Sequence, residues 1–395
     1  MKHILVVAPD FPFPPNHGGR VDVWSRLNLL KKMGFTIDLM ASVKEPPLKE
    51  DISIVKGIVD NLFVLSRGWA LSGMFGINPN QVANRSAFSR HKLEANYDIV
   101  LIEGSPCGAV LQNSTLKARN IVLRVHNDES LYFRKLSAST NHPIKALYYF
   151  IESLRFALYE RTLSQKLEHF LFISKEELSR FMHTFHDKHT AFLPPTPPNI
   201  TRRQKVTKKL TNRVLFIGSL FMPNNRDGLE WYMGCVHPLL RKTCEYQFVV
   251  AGNPKGMSLD WLTKGPYGDE IELHVSPPYL DSIYEGADIF VNPMRFGAGM
   301  KIKTIEALCR GLPMVSTTTG IEGIGLEDGI HIFQADTPEL FAKRITELLN
   351  NQDRGRELVN NAITYIETEF NTQKKLENFL NQVLDGVPTI SPYSL

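Results

Sequence analysis

Cysteine is scarce in this 395-residue chain: there are four, Cys107, Cys235, Cys244 and Cys309, with no CxxC pair and no Cys/His spacing suited to zinc. That excludes a disulfide scaffold and argues against a structural metal, so the four read as reduced thiols of a cytoplasmic protein. Long apolar runs are missing too. No stretch approaches the roughly 18 uninterrupted apolar residues of a spanning helix. The opening run Ile4–Ala8 falls short of the roughly 7 to 15 residues of a signal-peptide core and reads instead as a first buried strand. Charge of one sign is also absent: 45 Lys+Arg against 41 Asp+Glu leaves a net +4, too weak a field to predict nucleic-acid binding. There is no short internal repeat, no low-complexity tract and no GxGxxG fingerprint after the first strand.

What remains is an ordinary globular composition, 43% hydrophobic and 22% charged, at a length that suits two domains. Short β-branched apolar runs recur at His3–Pro9, Thr36–Ala41, Asn61–Leu65, Asp98–Glu103, Ile121–Val125, His169–Ile173 and His189–Leu193. Segments of helical period separate them, as in Val23, Trp24, Leu27 and Leu30. Continuous apolar strands alternating with amphipathic helices indicate an α/β fold with a parallel sheet covered on both faces. The alternation breaks at Pro194-Pro195-Thr196-Pro197-Pro198 and a basic stretch with Arg202, Arg203, Lys205, Lys208 and Lys209, because consecutive prolines can neither continue a helix nor sit in a central strand. It restarts at Val214–Gly218, Tyr246–Gly252, Ile271–Ser276, Asp288–Pro293, Pro313–Thr318 and His331–Gln334.

The expected organisation is two doubly wound, Rossmann-like domains facing each other across a cleft: 1–195, a linker at 196–212, and 213–367. Leu376, Phe379, Leu380, Val383 and Leu384 form the stripe of a terminal helix, about 368–386, expected to pack back on the first domain.

Ligands of open α/β sheets bind beyond the carboxyl ends of the strands. Two turns qualify. Gly18-Gly19-Arg20 follows the first strand, where glycines admit a ligand close to the backbone. The second runs Asn292-Pro293-Met294-Arg295-Phe296-Gly297-Ala298-Gly299-Met300-Lys301-Ile302-Lys303 into a helix. A helix N-terminus flanked by Arg295, Lys301 and Lys303 suits a diphosphate, since unpaired amides, the helix dipole and side-chain cations all favour an anion. Glu306, one turn on, can accept hydrogen bonds from ribose hydroxyls; the plainer reading is an i, i+3 surface pair with Lys303.

Across nearly its full length the chain resembles the glycosyltransferases of family 4, with the two-domain GT-B fold. The resemblance rests, in order, on Gly18-Gly19, Val125-His126-Asn127, Leu215-Phe216-Ile217-Gly218-Ser219-Leu220, Val249-Val250-Ala251-Gly252-Asn253-Pro254, Gly297-Ala298-Gly299 through Glu306-Ala307-Leu308-Cys309-Arg310-Gly311-Leu312-Pro313, and Thr319-Gly320. It implies a retaining, metal-independent transfer of a sugar from a UDP- or GDP-linked donor, bound mostly by the second domain, to an acceptor bound mostly by the first. It assigns Glu306 to the ribose and Lys303 with the amides of Gly299 and Met300 to the diphosphate. Gly18 and Gly19 would close over the phosphates, and Gly218, Ser219, Asn225 and Asn253 would line the donor. His126 would lie near the reacting sugar, with Asn127 on the acceptor. No cofactor is implied beyond the donor substrate.

The sequence also departs from the family. Ala298 stands where many members have the first Glu of a Glu-seven-Glu pattern, and Ser219 and Asn225 stand where Arg and Lys are common. Diphosphate neutralisation then falls to Lys301, Lys303, Arg295 or Arg226. Glu103, at a strand end, is either an acceptor contact or a structural carboxylate. His17 is a base for an inverting reaction or a surface loop residue, and Glu322 is a sugar contact or a loop carboxylate. The stripe Tyr148, Tyr149, Ile151, Leu154, Arg155, Leu158 and Tyr159 reads as core or as an interfacial helix on the membrane of a lipid-linked acceptor. The expected role is synthesis of a surface polysaccharide or glycoconjugate from a glycan or lipid-linked acceptor, at the inner face of the membrane. The alternatives are a GT-B-type nucleotide-sugar epimerase and a nucleotide-sugar-binding protein without turnover.

Overall fold

The computed structural model describes residues 2–15, 18–68, 76–140, 142–197, 200, 211–297 and 299–386. His17, Ala298 and the basic stretch at 201–210 lie outside them. The chain divides into two compact units, Met1–Thr196 with Thr372–Leu395, and Pro197–Asn371.

The first unit is built on seven parallel strands: β1 (His3–Ala8), β2 (Thr36–Val43), β3 (Asn61–Ser66), β4 (Asn96–Glu103), β5 (Lys117–Val125), β6 (His169–Phe172) and β7 (His189–Phe192). They lie in the order β3-β2-β1-β4-β5-β6-β7. Because strand side chains alternate between faces, Ile4, Val6 and Ala8 join one core while Leu5 and Val7 join another on the opposite face. Helices cover both. The helix Gly18–Lys32 contributes Val23, Leu27 and Leu30 to the first core, and the helix Thr372–Asp385 adds Leu376, Phe379, Leu380, Val383 and Leu384. That terminal helix starts at Thr372. A separate helix, Gln352–Glu369, precedes it, and its Ala362 and Ile366, with Phe370 just beyond, pack in the second unit.

In the second unit six strands are parallel: β8 (Arg213–Ile217), β9 (Gln247–Gly252), β10 (Ile271–Val275), β11 (Ile289–Asn292), β12 (Met314–Ser316) and β13 (Phe333–Gln334). Their order is β10-β9-β8-β11-β12-β13. Val214 and Phe216 face one core, Leu215 and Ile217 the other. In each sheet the strand order reverses beside its first strand, between β1 and β4 and between β8 and β11. The chain leaves those neighbouring strands in opposite directions, opening a crevice at their carboxyl ends.

Candidate functional site

In the second unit the crevice lies beyond Ile217 of β8 and Asn292 of β11. Backbone crowding shapes it: a Cβ on Gly252 would sit 1.8 Å from the Gly218 carbonyl oxygen, so the ends of β8 and β9 touch only because position 252 is glycine. Gly299 adopts φ +79°, a conformation costly for any residue with a Cβ, where the turn bends into the helix Ile302–Cys309. Lys301 precedes that helix and supplies no side-chain cap. Beneath the turn, Asn292 donates through Nδ2 to Thr304 Oγ1 and to the Gly320 carbonyl, both at 3.0 Å.

Four cations were expected to share an anion here, and three are already committed to carboxylates. Arg295 is exposed and donates to both oxygens of Asp227, at 2.9 and 2.5 Å. Lys301 is buried; its ammonium donates to the Gly297 and Gly299 carbonyls and to Glu322 at 3.3 Å, so it holds the turn together from inside. Arg226 pairs with Glu230 at 2.7 Å and lies over the Trp261 ring. Lys303 differs. Its Nζ donates to the neutral Oδ1 of Asn225 at 2.8 Å and sits 4.4 Å from the centroid of Phe216. Burial first, then the nearby Lys301 charge, pushes it down to about 7. Asn225 donates in turn to the Ser219 carbonyl at 3.0 Å, which fixes the oxygen that Lys303 uses. Asn225 therefore orients Lys303 through a neutral partner.

Glu306 and Lys303 make no ion pair with each other among the described residues. Glu306 turns to Arg310, at 3.4 Å, which also binds Asp281, and burial raises its carboxyl above the ordinary range. Asn253 is exposed; its side chain accepts from Lys255 N at 2.7 Å and its carbonyl from Leu220 N at 2.9 Å, tying the two loops.

The crevice of the first unit holds a buried charge cluster that the sequence reading found only in part. Arg26 Nε donates to Glu103 at 2.5 Å, and its Nη2 donates to Asp22; Arg124 donates to Asp22 at 3.0 and 3.3 Å and to the Leu193 carbonyl at 2.7 Å. Burial acts to raise both carboxyls and the guanidiniums overcome it. Arg26 with His126 holds Glu103 down at about 2, and Arg124 with Arg26 holds Asp22 well below the carboxylate range. His126 Nε2 lies 2.8 Å from Glu103 Oε2. Since that carboxylate is ionised, the contact assigns a proton to Nε2. Glu103 is 0% exposed and is hydrogen-bonded to Arg26 and His126, which fits the structural-carboxylate alternative of the sequence reading.

Asp22, Glu103 and His126 bring ligand atoms within 4.8 Å of one another. The trio does not suit a metal ion, because two guanidiniums already neutralise its two carboxylates. Gly18 and Gly19 form the first turn of the helix that carries Asp22 and Arg26, and Arg20 donates to Asp10 at 3.0 Å. The clue to this cluster lay in charge at apolar positions: Arg124 inside the run Ile121–Val125, and Asp22 with Arg26 one turn apart on the buried stripe.

Beside His126, Asn127 lines a cavity of about 340 Å³ between the sheet and the helices Pro143–Lys166 and Lys175–Thr184. Phe170, Phe172 and Phe181 contribute apolar walls. Glu160 accepts from Ser105 at 2.9 Å and is pushed up to about 8 by burial, while Glu177 Oε2 is buried without a partner. Neither glutamate is singled out by the sequence motifs.

Comparison with known proteins places these features. Residues 211–351 match the family Glycosyl transferases group 1. Over 393 residues the chain is 35% identical to a Klebsiella pneumoniae protein described as "Uncharacterized 44.6 kDa protein in cps region", covering 97% of this chain and 100% of that one, which makes the two members of one family. TarM of S. aureus has a similar structure, with a TM-score of 0.70 at 12% identity over 97% of this chain and 99% of its own. HepE of Anabaena, solved in complex with UDP-glucose, has a TM-score of 0.64 at 10% identity over 98% and 100%. At such identities these two structures establish the fold, which is GT-B: two Rossmann-like domains built on parallel sheets.

Proposed function

From the GT-B fold and the match of residues 211–351 to Glycosyl transferases group 1, we propose that the chain transfers a sugar from a UDP- or GDP-linked donor to a glycan or lipid-linked acceptor, with retention of configuration and no metal. The observation that carries this reading is Lys303, the one cation of the four around the glycine turn whose partner is not a carboxylate. A buried ammonium with only an amide and a ring beside it is a charge arranged for an incoming anion. Donor binding restores its proton and pairs it with the diphosphate.

The family resemblance supports the roles of the other residues. The amides of Gly299 and Met300 complete the diphosphate site, Glu306 accepts from the ribose, and Gly218, Ser219 and Asn225 shape the wall from which Lys303 works. As the bond from the anomeric carbon to the phosphate oxygen breaks, that oxygen gains negative charge, and Lys303 stabilises it where it develops. The acceptor hydroxyl forms the new bond on the same face and passes its proton to the departing phosphate. His126, oriented by Glu103, serves this chemical step, and the cavity at Asn127 takes the acceptor. Likeness to a cps-region protein supports polysaccharide or glycoconjugate synthesis, and HepE's complex with UDP-glucose favours a uridine nucleotide.

Anomer-resolved NMR of the product, with EDTA present, tests this reading. It expects an acceptor-linked sugar of the donor's own configuration. An inverted linkage contradicts the retaining mechanism, and a free altered sugar formed without acceptor identifies an epimerase.

A further inference from the structure

The helix Pro143–Lys166 carries an outer face that the rest of the fold does not use. Ile144, Leu147, Phe150, Ile151, Leu154 and Leu158 are all exposed, Ile144 by 74% and Leu158 by 67%. Five of them, at 144, 147, 151, 154 and 158, follow steps of three and four and so form one stripe, about 21 Å long at 1.5 Å per residue. The inner face is accounted for: Glu152, Ser153, Phe156, Leu163 and Ser164 are buried, and Phe156 stacks on Phe133 of the neighbouring helix Glu129–Ser139 at 5.4 Å. Tyr148, Tyr149 and Tyr159, expected within the stripe, are instead half-buried.

Charge identifies the occupant. The exposed charged residues on these two helices are Arg134, Lys135, Lys145, Arg161 and Lys166, all basic. Their acids turn inward: Glu152 is 0% exposed and bonded to Arg155, Glu160 accepts from Ser105, and Glu129 is half-buried. A second copy of the chain laid on this stripe would bring like charges together. We propose that this helix lies on an anionic lipid surface, its stripe among the acyl chains and its basic residues among the headgroups. It rests on the membrane without crossing it, because no helix is long and apolar enough to span one among the described residues. The proposal is independent of the donor site in the other unit and extends the reading above by naming a surface that would bring the acceptor cavity, lined by Ala157 and Glu160 of the same helix, beside lipid.

The test is flotation of the full chain with vesicles of phosphatidylcholine alone or with one-third phosphatidylglycerol, at low and high salt. Binding to the anionic vesicles that weakens with salt is expected, because surface charges are screened within about 10 Å at 0.1 M. The double variant Leu154→Glu, Leu158→Glu should lose at least about tenfold in partitioning, since each substitution puts a charge where the acyl chains would be. Both positions are exposed, so its melting temperature and UDP-glucose affinity should match the parent. Failure of the parent to float with anionic vesicles overturns the proposal. A parent that sediments as a dimer, dispersed by the same double variant, overturns it in favour of a second copy.

Discussion

Around the ends of β1, β4 and β5, Asp22, Glu103, Arg26 and Arg124 settle their charges among themselves, whereas beyond β8 and β11 Lys303 is left with a neutral amide and a phenyl ring. The two crevices arise from the same strand reversal. One sets a carboxylate against a histidine ring, and the other leaves an ammonium beside neutral groups, where on the proposed reading a ligand supplies the counter-charge. A compensated cluster stabilises its unit and suits a positioning role; an uncompensated ammonium costs stability until the anion arrives.

Breaking the closed cluster should have the largest effect on the fold. Arg26→Met takes one partner from each of two buried carboxylates, and losing one partner of such a network costs about 3–5 kcal/mol. Urea denaturation should show that loss, with UDP-glucose affinity of the folded protein unchanged. An unaltered midpoint would mean that the cluster carries no strain on removal and that the contrast is wrong.

Lys303→Met should behave in the opposite way. UDP-glucose affinity should fall by about 100-fold, in line with removal of a buried charged partner, while the apo protein melts a few degrees higher because an unfavourable buried ammonium has gone. Differential scanning calorimetry without ligand checks the sign, and a lower melting temperature would contradict it.

The pH dependence sharpens the same contrast. In the unfolded chain Lys303 keeps its proton up to about 10.4. The folded apo protein releases it at about 7, so between those values the unfolded state binds more protons and this group's contribution makes the apo fold more stable as pH rises. Donor binding needs the proton back, so UDP-glucose affinity should weaken above pH 7 by up to about tenfold per unit.

Smaller effects separate chemistry from binding. His126→Ala should lower kcat by about 10²-fold with near-normal donor affinity, the range for loss of one group acting in the transition state. Asn225→Ala removes two hydrogen bonds, one from Lys303 and one to the Ser219 carbonyl, each worth about 1 kcal/mol, and should raise the donor KM severalfold with kcat little changed. Steady-state kinetics on both variants distinguishes these patterns.

The fold was largely legible because its signals are local. Each of the thirteen apolar runs became a strand, since a buried parallel strand must be continuously apolar whatever surrounds it. The glycine turn before Ile302 was legible for the same reason, its backbone needs being written in adjacent residues. The charges were not. Arg295 reads as a spare cation until Asp227, 68 positions earlier, is found beside it, and Lys301 until Glu322, 21 positions later, is. For Asp22, Arg26 and Arg124, charge at an apolar position signals burial but does not name the partner, which for Asp22 and Arg124 lies 102 positions away. Glu103 was named, but its partners decide whether it is a contact or a support, and those come from the helix Gly18–Lys32 and from β5.

On the proposed reading, Lys303 is a proton-deficient cation kept for a nucleotide diphosphate. Isothermal titration of UDP-glucose at pH 8, in two buffers of different ionisation enthalpy, tests it directly, because the diphosphate diester does not itself titrate near neutrality. The account predicts uptake of close to one proton per donor bound by the parent and none by Lys303→Met, together with the loss of affinity. Equal affinity and equal proton uptake in both proteins would contradict it.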